Sequence, residues 1–122
     1  MKKNILIVVE EGLLSSALVR LLITIKEMEI TTVSVFNRPG ALAALRNEPK
    51  RFDLVLTELD EEDTFEFFAG MIRQASPRSK ILLYGEDSRA KTQSAFVDAF
   101  VLKPEEESAA LLRRTVVRLL TS

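Results

Sequence analysis

The chain has 122 residues, no cysteine and no histidine, and 17 basic against 18 acidic side chains for a net charge of -1. That length suits one core, so residues 1–122 are read as a single domain. The missing residue types exclude disulfides, thiolate and imidazole metal sites, thiol nucleophiles and imidazole bases, and the balanced charge argues against direct nucleic-acid binding.

Ile5 to Val9 is a continuous β-branched run, the pattern of a strand buried on both faces. It is too short for a membrane span or signal peptide and runs into Glu10 and Glu11, so a cytoplasmic location is expected. The period then changes. Leu13, Leu14, Ala17, Leu18, Leu21, Leu22 and Ile25 recur at helical spacing and predict one apolar stripe. Thr31 to Phe36 reads as a second strand, and Arg38, Pro39 and Gly40 as punctuation before a short Ala/Leu helix ending near Asn47.

Asp53 to Thr57 predicts a third buried strand closed by Glu58, followed by a largely loop-forming acidic run, Leu59 to Asp63. A helix with Phe65, Phe68, Met71 and Ile72 follows and breaks at Ser76 and Pro77. Lys80 to Tyr84 is the fourth expected strand, Glu86 to Phe96 holds a short fourth helix, and Ala99 to Leu102 is the fifth strand. Pro104 opens the last helix, with Glu105, Glu106 and Glu107 early and Arg113, Arg114 and Arg118 late, the charge order a helix dipole favours.

Five strands alternating with five helices predict an α/β fold: a doubly wound, five-stranded parallel sheet with right-handed crossovers. The flavodoxin-like strand order 2-1-3-4-5 has its switch point between the first and third strands, so Glu10 and Glu58 should flank the crevice where such sheets bind ligands. Taken singly, Glu10 and Glu11 also suit a solvated strand exit, Lys103 a surface position before a helix-opening proline, and Tyr84 and Phe100 the rim of a core.

Together these strand ends resemble the receiver domain of two-component response regulators across essentially the whole chain. Lys3 to Glu11 is similar to the first strand with its acidic cluster, Phe52 to Glu58 to the third, Ile81 to Gly85 to the fourth, and Asp98 to Pro104 to the fifth, the most specific match. The resemblance implies a phosphoacceptor position at Glu58, a magnesium-binding acidic cluster at Val9 and Glu10 with Glu11 beside it, a phosphate-contacting lysine at Lys103, and switch positions at Tyr84 and Phe100.

Three positions depart from the family pattern. Glu58 carries one methylene more than the family's aspartate, and displacing a reacting oxygen by about an ångström costs on the order of a hundredfold in rate. Val9 cannot ligate Mg²⁺, which takes oxygen ligands, so only Glu10 and Glu58 remain for weak binding and no cofactor is expected. Tyr84 replaces a short hydroxyl with one at the end of a rigid ring. A charge pair between Glu58 and Lys103 would stand in for part of what phosphorylation creates.

The expected function is therefore a non-enzymatic, degenerate receiver in phosphorelay signalling. It would bind a protein partner such as a histidine kinase or an output domain, with homodimerisation through the fourth helix, fifth strand and fifth helix open to it, and no role at a membrane. A receiver phosphorylated on Glu58 or a nearby acid is the alternative. A flavodoxin-like cofactor binder is a third, disfavoured because Glu10 and Glu11 would repel a phosphate at the first helix.

Overall fold

A computed structural model of the protein describes residues 2–10, 12–58, 65–85, 96–102 and 108–121. The chain forms β1 (Lys2–Val8), α1 (Gly12–Ile23), β2 (Glu29–Val35), α2 (Arg38–Asn47), β3 (Leu54–Glu58), α3 (Phe65–Ala75), β4 (Lys80–Gly85), β5 (Ala99–Leu102) and α4 (Ser108–Thr121). The strands make one parallel sheet in the order β2-β1-β3-β4-β5, as the pattern of strand ends predicts.

Strand alternation sends side chains to two cores. Ile5, Ile7, Leu54, Leu56 and Leu82 meet Leu18 and Leu22 of α1 and Leu112 and Val116 of α4 on one face. On the other, Leu6, Val8, Val55, Ile81 and Leu83 meet Ala41 and Leu45 of α2 and Phe65, Phe68 and Ile72 of α3. Ile5, Leu6 and Ile7 are completely enclosed, and burying each such side chain contributes about 1.5–3 kcal/mol.

Several boundaries differ from the sequence reading. β1 begins at Lys2 and closes at Val8, because pairing with β2 from Lys2 alongside Glu29 carries the ladder into a polar stretch that hydropathy does not mark. Of the α1 stripe, Leu18 and Leu22 are buried, whereas Ala17 is exposed and Leu13 is 82% exposed, since seven apolar positions span a wider arc than the sheet covers. Met71 likewise faces out from α3.

Arg38, Pro39 and Gly40 form the first turn of α2 rather than a break before it. Asn37 takes extended dihedrals and its Oδ1 accepts the Gly40 N–H at 2.7 Å, while Pro39 sits where a helix needs no donor. Four helices are seen among the described residues. The expected fourth helix at 86–96 lies, except for Phe96, outside the described residues, as do Pro104 to Glu107. The last expected helix is α4.

The amino edge of the sheet is tied by one device used twice. Asp53, before β3, accepts the Asn4 N–H on Oδ2 at 2.9 Å and donates its own N–H to the Asn4 carbonyl at 2.9 Å. Asp98, before β5, accepts the Ile81 N–H at 2.8 Å and returns its N–H to the Ile81 carbonyl at 2.9 Å. Arg78 pairs with Asp53 at 2.9 Å and Arg73 with Asp98 at 3.2 Å. Between them, Ser79 donates to the Phe52 carbonyl and Ser76 to the Pro49 carbonyl, the two hydroxyls lying 2.6 Å apart. Among the described residues, no helix is long and apolar enough to cross a membrane.

Candidate functional site

The switch point of this strand order lies at the carboxyl edge, between β1 and β3. Val8 and Thr57 are the last residues in register there, so Val9 and Glu58 follow side by side. Val9 is only 1% exposed, and its N–H donates to the Val35 carbonyl at 3.2 Å, which closes the crevice toward β2. Glu58 is half-buried with Oε2 enclosed by protein.

Glu58 continues the face of Leu54 and Leu56, and its register partner in β4 is Tyr84. Val9 and Tyr84 belong to the same buried cluster. The carboxylate therefore stands in a row with an aliphatic side chain on one neighbouring strand and an aromatic ring on the other. Glu10, one residue beyond Val9, is exposed at the bend that leads into α1.

Among the described residues, this edge lacks one of the carboxylates of the magnesium site that the receiver resemblance implies. A hard cation needs oxygens, and the β1 position facing Glu58 is a buried valine. Among the described residues no group of three or more acidic side chains gathers to hold a metal. Glu11, Lys103 and the acidic run 59–63 lie outside the described residues, as does the expected contact between Glu58 and Lys103.

The two expected switch positions project to opposite faces of the sheet. Leu83 pairs with Phe100 and Tyr84 with Val101, so Tyr84 joins the core under α1 and α4, whereas half-buried Phe100 packs against the core under α2 and α3. Residue spacing within each strand does not reveal this relation, because it depends on the register between strands.

One element of the same edge went unread in the sequence. The Arg38 guanidinium, in the first turn of α2, lies 4.9 Å from the Phe68 ring centroid and 5.8 Å from that of Phe65, and the two rings meet edge to face at 6.1 Å. Such stacking holds a cation in a fixed place. α2 follows β2 and α3 follows β3, so the stack ties two helix starts together beside the strand ends. Phe65 and Phe68 at three-residue spacing are the available signal, but Arg38, Pro39 and Gly40 read in sequence as punctuation before the helix.

No protein-family model and no curated protein sequence matches the chain. Solved structures do match. A response regulator from Thermotoga maritima superposes with a TM-score of 0.82 at 20% identity over 100% of both chains. A response regulator receiver domain protein from Clostridium thermocellum gives 0.81 at 13% identity, over 98% of this chain and 94% of that one. A structure of the P1 domain of CheA3 in complex with CheY6 from R. sphaeroides gives 0.78 at 19% identity, over 98% of each chain. The fold is that of response-regulator receiver domains.

Proposed function

From that shared fold, we propose that the chain is a receiver-type regulatory module that works by binding another signalling protein, with phosphoacceptor chemistry impaired or absent. The observation that carries this reading is Val9, buried beside Glu58 at the switch point. Transfer of a phosphoryl group to a carboxylate needs a divalent cation to neutralise the phosphoryl oxygens, together with in-line placement of the attacking oxygen. Here the carboxylate is one methylene longer than an aspartate and has a valine on one adjoining strand and a tyrosine on the other.

On this reading the module is not an enzyme, and Glu58 contributes a permanent negative charge at the edge where a phosphoryl group would otherwise arrive. A histidine kinase is one fitting partner on the receiver reading, and a matching structure is of the P1 domain of CheA3 in complex with CheY6. Self-association through β5 and α4 is a second arrangement compatible with it.

Incubation with Mg²⁺ and a small phosphodonor, followed by intact mass measurement, tests the proposal. The expected result is an unchanged mass. An alkali-labile gain of one phosphoryl group that disappears in Glu58→Gln would establish the opposite reading, a working acceptor at Glu58.

A further inference from the structure

We infer that a basic cleft between the end of α1 and α4 is a docking site for an acidic, amphipathic segment of a partner protein. The cleft has a volume of about 550 Å³; Lys26, Arg113, Arg114 and Arg118 line it together with the apolar Ile25 and Val117. Residues 24–27 join α1 to β2, which places this feature toward the amino edge of the sheet, away from Val9 and Glu58. The inference does not depend on whether Glu58 is an acceptor.

Charge supplies the first argument. The four cations are exposed, and among the described residues none forms an ion pair, although Glu27 lines the same cleft. A chain with a net charge of -1 has thus gathered four positive groups against one negative at a single concavity. Positive charge concentrated in this way steers and selects an acidic partner.

Spacing and polarity narrow the ligand. Arg114 and Arg118 stand four residues apart on α4, so their heads are about one helical turn apart, the repeat of acidic groups on one face of a partner helix. The Arg113 guanidinium reaches to 3.5 Å from Thr24 Oγ1, bridging the two walls. Each guanidinium offers a planar fork suited to a carboxylate. Ala110 and half-buried Val117, backed by Ile25, supply an apolar surface that a free anion or a nucleic-acid backbone would leave uncovered, whereas an amphipathic segment buries apolar side chains there and keeps its acids at the rim.

Fluorescence anisotropy with a labelled short helical peptide, bearing glutamates four apart and leucines on the adjoining face, tests the inference. Saturable binding at low salt should weaken about tenfold in the Arg113→Gln/Arg118→Gln double variant, as expected when two exposed ion pairs are removed. It should strengthen in Glu27→Gln, where a repelling acid is removed, and weaken as salt rises. Matching melting temperatures of the variants and the parent protein confirm that the surface alone has changed. The inference is overturned by no saturable binding, by equal affinity in the double variant, by equal affinity for a peptide with its leucines replaced by serine, or by duplex DNA or anionic vesicles binding as tightly as the peptide.

Discussion

Val9 is the residue on which the character of the carboxyl edge turns. Replacing it with aspartate puts a carboxylate beside Glu58 in a nearly closed position and, with no metal, should cost about 3–5 kcal/mol for an uncompensated buried charge. Mg²⁺ should recover part of that loss, since two adjoining carboxylates begin to form an oxygen site. Urea denaturation of Val9→Asp in chelator and in Mg²⁺, against a parent whose midpoint moves little, measures both effects. The double variant Val9→Asp/Glu58→Asp should go further and acquire a phosphoryl group from a small phosphodonor, read by intact mass.

Residue identity was legible at this edge because strand ends can be located in an apolar run, and Val9, Glu58 and Tyr84 each close one. What the sequence did not disclose was their relation across strands. The resemblance names Tyr84 and Phe100 together as switch positions, yet they lie on opposite faces, since register joins residues far apart in the chain.

At the scale of elements, two glycines in helices give opposite expectations for one substitution. Gly70 in α3 has open space where a Cβ would go, so Gly70→Ala should stabilise by up to about 1 kcal/mol through helix propensity. At Gly40 the new Cβ would come 3.0 Å from Asn37 Oδ1, the atom that caps α2, so Gly40→Ala should forfeit that gain or lose stability. Parallel thermal melts of the two variants decide it. α2 shows why composition misled: asparagine, proline and glycine suit a turn and a helix start equally well, and only the Asn37 to Gly40 hydrogen bond separates the cases. The ties that Asp53 and Asp98 make across strands are not legible for another reason, since a single aspartate before a strand has no period that reveals its partner. Asp98→Ala should cost about 1–3 kcal/mol by leaving the Ile81 N–H without its acceptor, a loss that chemical denaturation would read.

For the whole molecule, stability rests on a sheet covered by helices on both sides, so the cost of a mutation should follow burial more closely than hydrophobicity. Leu56→Ala in the central strand should cost about 2–5 kcal/mol. Leu13→Ala, at an equally apolar residue that is exposed, should stay within about 0.5 kcal/mol. Equal losses in chemical denaturation would contradict the assignment of the α1 face. The fold itself was readable from the sequence because its buried strands are short, apolar and separated by helices of a different period, a pattern few architectures share.

The paired aspartates have a consequence beyond the energy of their bonds. Asp53 joins two strands that are neighbours in the sheet but not in sequence, Asp98 joins two that are neighbours in both, and both residues act on the rim opposite the switch point. The scaffold is thus bound along one margin like pages at a spine, and the other margin is left open to revision. Lengthened loops or altered side chains at the open margin can change what the molecule recognises without loosening the binding that keeps its strands in order.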